Sequence, residues 1–337
     1  MTATLHALDE PNVFLGAYLA PFRPWLERED VTEILINQPG EAWIEHGGAV
    51  HMERFALPDV DDRHIKRLAE QIARASHQGI NREQPLLGAT LPDGARVQFV
   101  APSATRGHWA MAIRRHRMLD MPLDAYAGDG ATPETPAPMP DRRADPVAFL
   151  RRMVRDRRTI LVSGGTSSGK TTFLNALLAE VPAHERIVLV EDTPEIRLRA
   201  ANGLGLVAVK GELGEARVTT DNLLQAALRL RPDRIVLGEL RGVEAVSFLR
   251  AINTGHPGSF TTIHANSAAG ALEQLALMVM QAGLGLGRAD TIAYARSMID
   301  VIVQLDRVGG RRRIADIHCV TSAASTTELL PPQQKGF

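Results

Sequence analysis

Apolar residues recur along this chain in two rhythms, and the change from one to the other divides it. The N-terminal part carries short strand-like runs. Thr32-Glu33-Ile34-Leu35-Ile36-Asn37 and Ala42-Trp43-Ile44-Glu45, on either side of a Pro39-Gly40 turn, predict a hairpin. Arg96-Val97-Gln98-Phe99-Val100, after the turn Pro92-Asp93-Gly94, and Trp109 to Ile113 predict two further strands. Ile65, Leu68, Ala69, Ile72 and Ala73 fall on one helical stripe, and a first helix is predicted over Val13 to Leu26. These elements make an N-terminal α+β domain with a mostly antiparallel sheet.

Further on, the runs become continuous and β-branched: Thr159-Ile160-Leu161-Val162, Ile187-Val188-Leu189-Val190, Arg234-Ile235-Val236-Leu237 and Phe260-Thr261-Thr262-Ile263. Strands buried on both faces of a parallel sheet read this way. Helical patterns alternate with them, notably Leu223, Leu224, Ala227 and Leu228. Val301 to Leu305 and Arg313 to Ile317 flank Gly309-Gly310, which predicts a closing hairpin. The fold class is α/β, with a mostly parallel sheet in the C-terminal domain. Between the two parts, Gly128 to Pro140 carries turn and breaker residues and almost no large apolar side chain, so it reads as a linker. The expected organisation is an N-terminal domain over 1–120, a Pro/Gly-rich linker over 121–146 and an α/β domain over 147–337.

Composition narrows the class without naming a chemistry. The 337 residues contain 45% hydrophobic and 23% charged residues, ordinary values for a globular protein long enough for two cores. A formal net charge of -1 gives no general attraction to nucleic acid, and no direct sequence-specific binding to it is expected. The single cysteine, Cys319, excludes an intramolecular disulfide and a multi-cysteine zinc site. No basic segment followed by an apolar run opens the chain, and nowhere do about 18 apolar residues follow one another. A cytoplasmic protein is expected, with any membrane association peripheral.

The chemistry enters at Gly164-Gly165-Thr166-Ser167-Ser168-Gly169-Lys170-Thr171-Thr172, which fits G-x-x-x-x-G-K-[ST], the phosphate-binding loop. Its glycines let successive N–H groups turn inward around a phosphate. Lys170 places a compact cation on the β/γ-phosphates, and the Thr171 hydroxyl suits Mg²⁺. A strand precedes the loop, and Phe173, Leu174, Leu177 and Leu178 predict a helix after it, whose positive dipole end faces the phosphates. ATP and Mg²⁺ are the expected ligands.

Three of the apolar runs stop at polar groups: Glu191-Asp192-Thr193, Gly238-Glu239-Leu240-Arg241 and His264-Ala265-Asn266. In a doubly wound sheet such strand ends converge on the ligand. Gly238 stands where the acid of the metal site commonly lies, which shifts the Mg²⁺ role, through a bridging water, onto Glu239. Glu191 is then the candidate for activating water, with Arg241 near enough to Glu239 for a plain ion pair. His264 is a candidate sensor of the γ-phosphate, with Asn266 as its neighbour. His256 in Thr254-Gly255-His256-Pro257-Gly258-Ser259 is open between a nucleotide contact and a subunit contact. Seven arginines between Arg142 and Arg158 crowd the approach to the loop; they suit a solvated helix face or an interface and are not assigned to nucleic acid.

Four blocks in this order, GGTSSGKTT from Gly164, VEDTPE from Val190, LRPDRIVLGELRG from Leu230 and NTGHPGSFTTIHAN from Asn253, resemble the hexameric secretion ATPases. They are most similar to the VirB-eleven class of type IV secretion and conjugation systems. EILINQPGEAWIE from Glu33 and LPDGARVQFVAP from Leu91 resemble that family's N-terminal domain. Two departures stand out, Ser168 where the family commonly has glycine and an unusually long linker. The resemblance implies a RecA-like P-loop domain and a homo-hexameric ring at the cytoplasmic face of the inner membrane. Its implied partners are the channel and coupling ATPases of the secretion system. It also implies that arginines of the N-terminal domain complete the nucleotide site. Arg96 and Arg114 or Arg115 match those positions, and Arg106 matches them less closely. The reading competes with a pilus or type II secretion motor and with a nucleotide-gated assembly switch of low turnover. The four-cysteine zinc element common among the pilus and type II motors cannot be built from one cysteine.

Overall fold

The computed structural model describes residues 13–115, 138–209 and 217–320. The predicted linker falls mostly outside the described residues, which resume at Pro138. Two compact units emerge, one of Met1–Leu119 with Ala183–Ile235 and the other of Asp120–Pro182 with Val236–Phe337.

The early elements are α1 (Val13–Leu19), α2 (Arg23–Leu26), β1 (Val31–Ile36), β2 (Gly40–His46), β3 (Glu53–Leu57), α3 (Asp62–Ala75), β4 (Leu86–Thr90), β5 (Arg96–Val100) and β6 (Ala110–Arg114). After them come α4 (Pro146–Arg155), β7 (Ile160–Gly164), α5 (Lys170–Leu178), β8 (Ile187–Glu191), β9 (Gly203–Val207), α6 (Thr220–Ala227) and β10 (Arg234–Leu240). The last elements among the described residues are α7 (Glu244–Asn253), β11 (Phe260–Ile263), α8 (Ala268–Gln281), α9 (Arg288–Met298), β12 (Val301–Val308) and β13 (Arg311–Cys319).

In the first unit, six strands pair antiparallel in the order β3-β2-β1-β6-β5-β4. The predicted stripe of α3 is buried in the core with Ile34, Ile44, Phe99 and Ile113, and the Asp61 carboxylate caps the helix by accepting the His64 N–H at 2.7 Å. The single helix expected over Val13–Leu26 is instead broken into α1, a 3-10 turn over Ala20–Phe22 and α2. Pro21 and Pro24 supply no N–H to an uninterrupted ladder, so each falls at a new start.

The later segment of this unit pairs β8 with β9 in parallel, Glu191 opposite Val207. Arg186 is fully buried: its Nε donates to the Leu230 carbonyl and its Nη1 to Asn37 Oδ1, both at 2.8 Å, while its Nη2 finds no hydrogen-bond partner among the described residues. Arg234 makes a buried two-point pair with Glu185, at 2.6 and 2.8 Å. The two-point pairing offsets the cost of keeping the Arg234 guanidinium from water.

Strand register also lines up a charged row: Glu45 opposite Glu33, Glu33 opposite Arg114, and Arg114 opposite Arg96. Directly opposed residues share one face of a sheet. Glu33 is 4% exposed; its Oε1 lies 3.5 Å from Arg114 Nε, and its Oε2 finds no hydrogen-bond partner among the described residues. Burial pushes its carboxyl up to about 8, against the opposing pull of Arg114.

The second unit arranges five strands as β13-β12-β7-β11-β10, with β7 parallel to both its neighbours and β13 antiparallel to β12. Gly309 and Gly310 form the predicted hairpin loop with φ of 56° and 80°, the left-handed pair that a two-residue turn requires. The fold is thus α/β, with an antiparallel sheet and a mostly parallel one, as expected. No helix among the described residues is long and apolar enough to cross a membrane.

A raised folded-state carboxyl value means that the unfolded chain holds fewer protons between its ordinary value of 4.5 and about 8. The Glu33 contribution is therefore full below the ordinary value and is lost as pH rises through about 8. Denaturant titrations from pH 5 to pH 9 are expected to show stability falling with pH, and Glu33→Gln is expected to flatten that slope. Equal slopes in the two proteins would contradict the buried, protonated carboxyl.

Candidate functional site

The phosphate loop grows out of β7, whose five residues are all buried, and ends where α5 begins at Lys170. Gly169 caps that helix with φ 95° and ψ 23°, and Ser167 also has a positive φ of 62°. Consecutive turns of this kind orient backbone N–H groups into one concavity. Gly164 is required by packing: an added Cβ would stand 2.3 Å from Ser168 Oγ and 3.1 Å from the Leu305 carbonyl. Ser168 thus occupies the space beside Gly164, is 4% exposed and leaves its Oγ without a partner among the described residues. A buried, unsatisfied hydroxyl and a Cβ-free cradle are both features that a phosphate group fits.

Lys170 is 8% exposed, and its ammonium folds back onto its own loop, donating to the Gly164 carbonyl at 3.1 Å and the Gly165 carbonyl at 3.4 Å. His264 Nδ1 lies 3.2 Å from Nζ and Glu239 Oε1 3.7 Å from it. Burial pulls the lysine pKa down, and Glu239 opposes this. His264 Nε2 is 2.9 Å from Glu239 Oε1, while Glu239 Oε2 accepts Arg241 Nε at 2.5 Å. Lys170, Glu239 and His264, singled out separately from three strand ends, therefore form one contact group in the second unit. Arg241 makes the ion pair weighed for it. Asn266 lies by Gly165, 3.9 Å from the position of an added Cβ. His256 Nδ1 donates to the carbonyl of Ala251 in the last turn of α7, at 2.9 Å.

Glu191 and the N-terminal arginines belong to the first unit. Glu191 is 3% exposed at the end of β8; its Oε1 accepts the N–H groups of Glu195 at 3.0 Å and Ile196 at 2.8 Å, and Arg106 Nη2 donates to Oε2. Arg106 also donates to the Ile196 carbonyl at 2.8 Å and covers Gly205. Thus the arginine with the weaker match to the resemblance is the one that meets Glu191. Arg96 is exposed beside Arg114, and Arg115 directs Nη1 to the carbonyls of Trp25 at 3.1 Å, Val31 at 3.4 Å and Arg28.

A buried lysine in a glycine cradle at the carboxyl edge of a parallel strand, opposed by a glutamate, makes this an α/β protein with a candidate phosphate site. The family described as "Type II/IV secretion system protein" matches residues 139–323, and the chain belongs to it. The PtlH type IV secretion system protein of Bordetella pertussis is 40% identical over 92% of this chain and 96% of its own length. VirB11 of Bartonella henselae is 34% identical over 94% of this chain and 96% of its own. The crystal structure of the VirB11 ATPase from the Brucella suis type IV secretion system, in complex with sulphate, superposes with a TM-score of 0.83 at 33% identity, covering 94% of this chain and 98% of that one. The chain is thus a VirB11-type member of a family of secretion ATPases.

Gly164→Ala is expected to cost about 1–3 kcal/mol of stability through overpacking against Ser168. Ser168→Gly in the same chain should recover part of that loss. Denaturant unfolding of the single and double variants checks this; strictly additive effects would contradict the contact.

Proposed function

We propose that this protein is an Mg²⁺-dependent ATPase working as a homo-hexameric ring that energises substrate transfer or pilus assembly in a type IV secretion system. The observation that carries the reading is the Lys170 ammonium, buried in its own loop and balanced by Glu239. A triphosphate arriving there would replace the two carbonyls and Glu239 as partners of the ammonium. Lys170 then neutralises charge on the β/γ-phosphates, and the N–H groups of Gly165 to Thr172 hold the rest of the chain of phosphates.

Thr171 and Glu239 would hold Mg²⁺, for which hydroxyl and carboxylate oxygens are the suited donors. The ion would supply neutralisation of charge on the phosphates. His264, hydrogen-bonded to Glu239, reports the state of the terminal phosphate. Glu191 orients the attacking water, its own direction fixed by Arg106 and two backbone N–H groups. Arg96, Arg114 and Arg115 are the candidates for completing the charge stabilisation, with Arg106 added to them as the partner of Glu191. Residues 1–120 and 147–337 serve as the two sequence-continuous domains, joined by the linker over 121–146. The ring docks peripherally at the cytoplasmic face of the inner membrane, on the channel and coupling ATPases of the system.

Lys170→Ala is expected to abolish Mg²⁺-dependent phosphate release, and the specific activity of the wild-type protein is expected to rise with protein concentration as rings form. Near-normal hydrolysis by the variant would overturn the site assignment. Uniformly slow, concentration-independent turnover would favour the nucleotide-gated switch.

A further inference from the structure

Arg312 is absent from the residues assigned so far, yet it lies against the phosphate loop. It stands on β13, beside β12, the strand that pairs with β7. Its Nη1 donates to Thr172 Oγ1 at 3.2 Å. Its stem covers Gly169 so closely that a Cβ there would stand 2.6 Å from Arg312 Cδ and 3.1 Å from Nε. The side chain is exposed, and no carboxylate among the described residues pairs with it. Arg313, next along the strand, is different: its Nε and Nη2 are taken by Asp306 at 2.9 and 3.0 Å. Arg312 therefore brings a permanent charge, with most of its five donors unspent, to the lip of an anion cradle.

Sheet order decides which part of a nucleotide it meets. β11 and β10, which lead to His264 and Glu239, stand on one side of β7; β12 and β13 stand on the other. Lys170 Nζ is on the His264 and Glu239 side. A P-loop lysine takes the β/γ-phosphates, so the terminal phosphate belongs on that flank. Thr172 lies in the first turn of α5, past Lys170, and Arg312 reaches it from the opposite flank. We propose that Arg312 is a binding residue for the α-phosphate, a clamp supplied by the same chain that carries the phosphate loop. The inference rests on the nucleotide-binding reading above and adds to it a residue and a phosphate.

The α-phosphate is common to ATP and ADP and is not transferred. A clamp on it binds substrate and transition state alike, which changes KM and leaves kcat unaltered. Binding of ADP and of a non-hydrolysable ATP analogue to the full chain with Mg²⁺ can be measured by calorimetry. Arg312→Ala is expected to weaken both by a similar factor of about ten, the loss of one charge-assisted contact. KM should rise to match, at unchanged kcat. Arg312→Lys should recover part of the affinity, and Arg311→Ala should behave as wild type. Thermal unfolding without nucleotide shows whether each variant is folded; should Arg312→Ala not fold, Arg312→Lys carries the same comparison with a smaller expected loss. Unchanged affinity for both nucleotides, or a loss confined to the triphosphate, overturns the clamp while leaving the site itself standing. If the wild-type protein binds neither nucleotide, the parent reading falls and the clamp falls with it.

Discussion

A cation that has been taken out of water must have partners, and Lys170 shows how strongly that requirement shapes the second unit. Its ammonium is almost wholly buried, at the first position of a helix whose own positive end faces the same way. Both facts make the charge costly unless oxygen atoms surround it. The loop supplies two carbonyls, and the end of β10 supplies Glu239. Gly164 and Gly169 follow from the same need, because the loop can curl around the ammonium and close under Ser168 and Arg312 only where no Cβ intervenes. Lysine, glycines and glutamate are thus parts of one electrostatic solution.

The parallel sheet turns that local solution into a directional one. Because β7 lies between β11 and β12, groups at neighbouring strand ends reach the loop from opposite flanks. Carboxylate and imidazole come from one flank, a guanidinium with few partners from the other. A linear polyphosphate is itself directional, with more charge at its terminal end. An arrangement with the metal-suited acid on one side and a fixed cation on the other matches that asymmetry.

The parts legible in the sequence were those set by short-range rules. The glycine loop was readable because each position answers to backbone conformation or to a nearby charge, and the strand ends at Glu191, Glu239 and His264 because a buried strand must end where its side chains turn polar. Ile65, Leu68, Ala69, Ile72 and Ala73 gave α3 away by their period. β4 and β9 were missed because Leu86-Leu87-Gly88-Ala89-Thr90 and Gly203-Leu204-Gly205-Leu206-Val207 carry glycine where strands are recognised by β-branched residues. In β9 the small residue has a reason, since the Arg106 side chain lies where a Cβ at Gly205 would be. Arg312 was hidden within Arg311-Arg312-Arg313, which reads as a solvated charge run. Its position beside Thr172, 140 residues earlier, is set by strand order alone. Arg106 was hidden for the same reason, its meeting with Glu191 being 85 residues away in sequence.

The two units share one habit in their treatment of charge. In each, a cation suited to phosphate is held by a glutamate at a strand end: Lys170 by Glu239 near the end of β10, and Arg106 by Glu191 at the end of β8. A bare buried cation would have to be desolvated and then wait unpaired, at a cost of several kcal/mol. On the proposed reading, a cation already paired with a carboxylate would meet phosphate by exchanging one anion for another, which would free the carboxylate for a metal ion or a water molecule. Fully buried pairs such as Arg234 with Glu185 offer no such exchange, since both partners are closed off and doubly bonded. The Lys170–Glu239 group thus differs from the Arg234–Glu185 pair in access. Glu239 is 15% exposed and its partner His264 52%, whereas Arg234 and Glu185 are 0% and 3%.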